Sequence, residues 1–157
     1  MNYKIRQPKE DEYELLNDFI YEAIYIPEGK EAPPKSIINQ PDIQVYVSDF
    51  GKQKDDYCFI AEVDAKIVGA VWVRIMNDYG HIDNETPSFA ISLYKEYRGC
   101  GIGTALMKQM LSALKQMGYK KTSLAVQKEN YAFKMYLKVG FKILDENDEE
   151  FIMINYL

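Results

Sequence analysis

The sequence predicts a single α/β domain over residues 1–157, a twisted mixed sheet of about six or seven strands flanked by about four helices. Three observations carry this. Apolar residues recur at helical spacing in several stretches, β-branched and aromatic runs of strand length alternate with them, and no repeat, low-complexity stretch or linker divides the chain. A chain of 157 residues is of ordinary single-domain size and buries roughly two-thirds of its unfolded surface without a disulfide or metal staple.

Tyr3 to Arg6 reads as a short first strand. From Lys9 to Tyr25, the residues Tyr13, Leu16, Phe19, Ile20 and Ala23 fall on one helical face. Pro8 and the acids Glu10, Asp11 and Glu12 suit its first turn, where amides are unpaired and the dipole is positive. The stretch from Pro27 to Pro34 has too many breakers for any element. A second helix is expected from Pro41 and Asp42, with Ile43, Val47 and Phe50 on one face and Gly51 as its stop. Tyr57–Val63 and Lys66–Met76 form a hairpin about Asp64-Ala65, with Gly69 as a bulge or close-approach point. Ser88–Tyr94 is the next strand. Ile102, Leu106, Met110, Ala113, Leu114 and Met117 then mark a helix ended by Gly118. A strand at Thr122–Val126, a helix from Asn130 to Val139 stopped by Gly140, and strands at Phe141–Leu144 and Phe151–Tyr156 complete the order. An exposed last strand would make a homodimer easy to build.

Composition excludes several classes of function. A hydrophobic content of 47% with 27% charged residues is that of a globular protein, and no apolar run approaches the ~20 residues that span a bilayer, so no membrane partner is expected. Met1 to Ile5 lacks a signal-peptide core, and a cytoplasmic protein is the expectation. Cys58 and Cys100 sit in unrelated settings and are expected to be free thiols. One histidine, His81, with no Cys or His pair at ligand spacing, points away from a metal site. A pI near 5.0 and the lack of a basic stripe disfavour nucleic acid. Charge is uneven: residues 1–79 carry nine basic against fifteen acidic side chains, whereas residues 80–142 carry ten against four. That suits an anionic ligand in the second half and a cationic partner facing the first.

The run Arg98-Gly99-Cys100-Gly101-Ile102-Gly103-Thr104 lies within the basic half, follows a strand and opens a helix. A helix start carries unpaired N–H donors and a partial positive charge, glycines leave room beside them, and Arg98 adds a charged fork at the rim. The turn therefore reads as a phosphate cradle. It meets neither the dinucleotide pattern G-x-G-x-x-G nor the nucleotide pattern ending in G-K-[ST].

This turn resembles the [QR]-x-x-G-x-[GA] segment of the GNAT superfamily of N-acetyltransferases. Two further segments carry the resemblance. Asn130-Tyr131-Ala132-Phe133-Lys134-Met135-Tyr136-Leu137-Lys138-Val139-Gly140-Phe141 is similar to the family's N-x-A-x-x-x-Y-x-x-x-G-F segment, and Ile67-Val68-Gly69-Ala70-Val71-Trp72 to its v-G-x-x-x-x strand. The resemblance implies a GNAT-like fold in which two neighbouring parallel strands splay apart and hold acetyl-coenzyme A as cosubstrate.

By position, the resemblance implies that the N–H groups of Cys100, Gly101, Ile102, Gly103 and Thr104, with Arg98 and Gly99 at the rim, bind the pyrophosphate. Backbone groups of Ile91 and Leu93 would pair with the pantetheine arm like an added strand. An N–H near Leu93 would face the thioester oxyanion. Asn130 would hydrogen-bond the arm or cap its own helix, and Tyr136 would protonate the leaving thiolate. Attack needs an unprotonated amine, so a carboxylate base is expected. Glu85 is the first choice, just before the strand that would carry the acetyl group, with Glu62, Asp83 and His81 as competitors. The expected activity is transfer of an acetyl group to a primary amine, a cationic small molecule or a peptide amine, by direct attack in a ternary complex. The alternative is a catalytically silent module that binds acyl-coenzyme A.

Overall fold

The computed structural model describes residues 2–157. Its strands are β1 (Lys4–Arg6), β2 (Tyr57–Val63), β3 (Lys66–Arg74), β4 (Ser88–Leu93), β5 (Lys121–Gln127), β6 (Lys142–Glu146) and β7 (Glu150–Tyr156). The α-helices are α1 (Leu16–Ala23), α2 (Pro41–Gln44), α3 (Ile102–Gln116) and α4 (Ala132–Lys138). One mixed sheet of seven strands runs in the order β1-β2-β3-β4-β5-β7-β6, antiparallel except between β4 and β5. The expected α/β class and sheet are present.

Alternation along the strands divides the core into two layers. In β3, Val71 and Val73 face α3 and pack with Leu93, Leu106, Met110, Leu114 and Met153, while Ala70 and Trp72 face α1 and pack with Leu16, Phe19, Ile20, Val47 and Phe50. Ser92 of β4 ties α1 down, its Oγ donating to the Phe19 carbonyl at 2.6 Å.

Three expectations change in detail. The run from Lys9 begins as a tight 3-10 segment, Glu10–Leu15, and becomes α-helical only at Leu16, a common way for a helix to start. The second helix stops at Gln44 rather than reaching Phe50. The carbonyls left unpaired there are taken by Arg74, whose buried guanidinium pairs with Asp56 at 2.9 Å and donates to the Val45 and Ser48 carbonyls at 3.0 and 2.8 Å. Asp49 and Gly51 at positive φ then turn the chain back. Finally, β7 is not an exposed edge. It is paired with β5 on one side and β6 on the other, so Phe151–Tyr156 offers no free edge to a second copy, and the edges of the sheet are β1 and β6.

Gly69 sits beside an irregularity, where Val68 is passed over between the pairs Ala61↔Gly69 and Glu62↔Ile67. It is also a point of close approach. A Cβ at Gly69 would lie 2.8 Å from the Leu93 side chain, and one at Gly103 would lie 3.2 Å from the same leucine. Leu93 is thereby received by two glycines, which lets the first turn of α3 settle directly on the end of β4.

No helix among the described residues is long and apolar enough to cross a membrane. Among the described residues, no group of three or more His, Cys, Asp or Glu side chains could hold a metal ion.

Candidate active site

The parallel pair at the middle of the sheet holds together at one end only. Ser88↔Ser123 is the one residue pair of its ladder, sitting at the start of β4, beyond which the two strands part. Pro87 C=O accepts the Ser123 N–H at 3.1 Å on the β5 side, whereas Tyr94 N–H donates to Val68 C=O at 2.9 Å on the β3 side. Backbone groups alternate sides along a strand, so Ile91 and Leu93, in step with Pro87, turn theirs toward the gap. With the Leu93 carbonyl taken by Arg98, the Ile91 N–H and C=O and the Leu93 N–H are the gap-facing groups of this central strand that can receive a ligand as an added strand.

The glycine turn stands at the open end of this gap. Gly99 and Gly101 adopt positive φ of 77° and 86°, and a Cβ on either would meet nothing within 4 Å. Gly101 is the N-cap of α3, whose first helical bond runs from Ala105 N–H to Gly101 C=O at 3.1 Å. The amides of Ile102, Gly103 and Thr104 precede that ladder and carry the positive end of a 15-residue helix. Cys100 is exposed and its thiol rests near the Arg98 carbonyl. The donor set and the open space beside it fit a pyrophosphate.

Arg98 is more committed than a rim cation need be. Its Nε–H donates to the Leu93 carbonyl at 3.0 Å, and Nη2 reaches the carbonyl and carboxylate of Glu22 at 3.2 and 3.4 Å. That leaves Nη1 for a phosphate.

On the other side of the gap, α4 follows β5 after a short turn. Asn130 Oδ1 accepts the Ala132 N–H at 2.9 Å, so its oxygen caps the helix and its amide protons stay free for a ligand. Tyr136 is 9% exposed and packs edge-on against Phe141 at 5.7 Å. Burial pushes its phenol up to about 12, so it remains a proton donor at neutral pH. Asn155 of β7, a residue with no signal in the sequence, donates to the Val139 carbonyl at 3.1 Å and pins the C-terminal end of α4.

Glu85 is not brought to this group. It is exposed, its N–H bonds Asp83 Oδ1 at 2.8 Å, and it lines a hollow with Lys54, Asp55, Gly118, Tyr119 and Lys121. Gly118 follows the C-terminal end of α3, a helix roughly 22 Å long at 1.5 Å per residue, so Glu85 lies at the end away from the glycine turn. Glu62 pairs with Arg6 at 3.2 Å near the β1 edge, and Asp83 pairs with Lys121 at 3.3 Å. His81 closes a turn on Asp78, its N–H donating to the Asp78 carbonyl.

The model of the acetyltransferase (GNAT) family matches residues 17–141, which span the gap, the glycine turn and α4. The chain belongs to the GNAT acetyltransferase family. It is 31% identical over 100 residues to an N-alpha-acetyltransferase of Sulfurisphaera tokodaii, covering 58% of this chain and 59% of that one. It is 34% identical over 62 residues to the ribosomal protein bS18-alanine N-acetyltransferase of Haemophilus influenzae, covering 40% of this chain and 42% of the other. The chain thus spans about half the length of these curated relatives. Among solved structures, this GNAT chain is similar to the PaiA N-acetyltransferase of Thermoplasma acidophilum in complex with coenzyme A, with a TM-score of 0.73, 21% identity and full coverage of both chains. That likeness is one of fold.

Proposed function

We propose that this GNAT protein transfers the acetyl group of acetyl-coenzyme A to a primary amine by direct attack within a ternary complex. The observation that carries the reading is the single Ser88↔Ser123 bridge, which leaves the Ile91 and Leu93 backbone facing a gap that leads to the glycine turn. The PaiA protein solved with coenzyme A shares the fold, which supports the same ligand here.

In this reading the amides of Cys100 to Thr104, with Gly99 and Arg98 Nη1 at the rim, receive the pyrophosphate, and the Ile91 N–H and C=O align the pantetheine arm as an added strand beside Leu93, whose carbonyl Arg98 holds. The Asn130 amide protons bond that arm. The Leu93 N–H faces the thioester oxygen and stabilises the charge that develops there. Attack of the amine nitrogen forms the C–N bond, and collapse of the adduct breaks the C–S bond. Tyr136 gives its proton to the departing sulfur and regains one from the nitrogen of the new amide. The acidic balance of residues 1–79 favours a cationic acceptor, a small-molecule or peptide amine. Glu85 has no step in this scheme because of its distance from the turn.

The test is release of coenzyme A thiol from acetyl-coenzyme A against polyamines, aminoglycosides, amino acids and short peptides with free amines. Release with one class of amine is expected. Binding of acetyl-coenzyme A without release on any acceptor overturns the transferase reading in favour of a silent acyl-coenzyme A module.

A further inference from the structure

The proposed acid, Tyr136, sits on a helix too short to hold itself. Helix α4 has seven residues, and isolated helices shorter than ~12–15 residues are marginal in water. What fixes the phenol is therefore what fixes α4 to the sheet beneath it. Asn130 ties the start, its Oδ1 accepting the Ala132 N–H. The end is closed by the chain that follows: Phe141 N–H donates to the Tyr136 carbonyl at 3.0 Å and Gly140 N–H to the Leu137 carbonyl at 3.1 Å, with Gly140 at a φ of 108°. This turn satisfies the carbonyls of Tyr136 and Leu137 and does nothing for that of Val139 at the cap.

Asn155 supplies the missing partner. Phe151, Met153 and Asn155 alternate onto the face of β7 that lies beneath α4. An asparagine only 6% exposed, where an apolar side chain would continue the core, is costly unless its amide is hydrogen-bonded, and Nδ2 donates to the Val139 carbonyl at 3.1 Å. The amide sits tightly, since a Cβ at Gly140 would lie 3.3 Å from Nδ2. The strand thus grips the helix twice, at points ~13 Å apart along β7 at about 3.3 Å per residue. At one point Phe133 meets the Phe151 ring at 4.9 Å, and at the other Val139 meets Asn155. Packed rings resist separation and permit sliding, whereas a hydrogen bond has a direction and sets the roll of the helix. Val139 lies three residues after Tyr136, so the bond acts on the turn that carries the phenol. Phe141 meets the same turn, its ring edge-on to Tyr136 at 5.7 Å and to Phe89 of β4 at 5.4 Å.

Resting on the transferase reading, we infer that Asn155 is a positioning residue for the reaction: by holding the Val139 carbonyl it sets the roll of α4 on β7, and with it the place of the Tyr136 hydroxyl beside the departing sulfur. Asn155 touches neither cofactor nor acceptor in this arrangement and exchanges no proton. Leucine is of similar volume and lacks the donor, so it separates the packing of the side chain from its hydrogen bond.

The experiment is Asn155→Leu made in the wild-type protein and again in Tyr136→Phe, each assayed for thiol release with the best amine of the panel and titrated with acetyl-coenzyme A. In the wild-type background kcat is expected to fall about tenfold, because a small misplacement of a reacting group is costly, while KM for the amine and the acetyl-coenzyme A dissociation constant hold. In the Tyr136→Phe background no hydroxyl remains to be placed, and the same substitution is expected to cost nothing further in kcat. Equal losses in the two backgrounds mark a merely structural asparagine and overturn the inference. An unchanged kcat in the single variant, or a loss that falls on acetyl-coenzyme A affinity instead, overturns it as well. Full turnover in Tyr136→Phe alone also overturns it and leaves acetyl transfer standing, whereas wild-type protein that binds acetyl-coenzyme A and releases no thiol with any amine overturns the transferase reading itself. Should Asn155→Leu not fold, Asn155→Asp carries the test from about pH 9 to about pH 6, since burial raises the new carboxyl into that range. Its kcat relative to wild type is expected to rise as pH falls and the protonated acid donates to Val139 as the amide did; a constant ratio overturns the inference.

Discussion

Arg98 Nε–H donates to the Leu93 carbonyl at 3.0 Å, so the residue that opens the glycine turn also closes the last carbonyl of β4 that faces the gap. The same guanidinium reaches Glu22 at the end of α1. One side chain thus joins the strand, the turn and the helix that covers the opposite face.

Replacing Arg98 with alanine removes this joint and a positive charge beside the proposed pyrophosphate site. We expect acetyl-coenzyme A to bind about tenfold more weakly or worse, equivalent to about 1.4 kcal/mol, by calorimetric titration. Arg98→Lys restores only part of the loss, because an ammonium cannot serve Leu93 and a phosphate in the same forked geometry. Unchanged affinity in both variants would show that the turn binds without its rim cation.

Tyr136→Phe keeps the ring that packs on Phe141 and deletes the hydroxyl. Turnover should fall by about 10²-fold while acetyl-coenzyme A affinity holds. The phenol also has a signature in stability. Its pKa rises from 10.0 unfolded to about 12 folded, so the folded state holds the proton more tightly. That contribution is complete below pH 10 and is lost as pH climbs through about 12. Tyr94, pushed to about 12 by burial and by Asp18, adds to the same alkaline decline. Urea midpoints at pH 9 and pH 11 should converge more closely in Tyr136→Phe than in wild type.

Gly101 holds a left-handed conformation at the N-cap of α3. Valine there strains the backbone by roughly 1–2 kcal/mol, which for a chain of this size lowers Tm by roughly 2–8 °C. Its side chain would also stand where the pyrophosphate is proposed to lie, and acetyl-coenzyme A should no longer raise Tm. A valine variant that binds and is stabilised normally would move the cradle elsewhere.

At the far edge of the sheet, Arg6 grips Glu12 through two bonds of 2.8 and 3.0 Å, while the Lys9 N–H adds a third to the same carboxylate. Arg6 first and the Lys9 amide second hold this carboxyl down at about 2, against 4.5 unfolded. The stability it contributes is present above pH 4.5 and is lost as pH falls toward 2. Glu12→Gln should therefore flatten the acid limb of a pH–stability curve, and an unaltered limb would remove the pair from the account.

What could be read from the chain and what could not follow one physical division. Strands and helices with a clean period, such as Tyr57–Val63 and the Ile102 helix, were legible because one buried face sets their register. The glycine turn and the Tyr136 helix were legible as elements because the residues that form each are contiguous in sequence. The early end of α2 was not, since the partner of its freed carbonyls is Arg74, which lies 29 residues from Val45. The order β5-β7-β6, which buries the last strand, is a matter of which strand inserts between which.

The single bridge between Ser88 and Ser123 makes this sheet behave as two leaves on a spine. One leaf is β1 to β4 with α1 and α3 upon it; the other is β5, β7 and β6 with α4. Rotating one leaf against the other breaks almost no ladder bond, so the angle between them is set by side-chain packing and by whatever fills the fold line. A ligand strand laid there binds the two leaves into one continuous sheet, and the amides of Ile91 and Leu93 should pass from fast to slow hydrogen exchange as it does so.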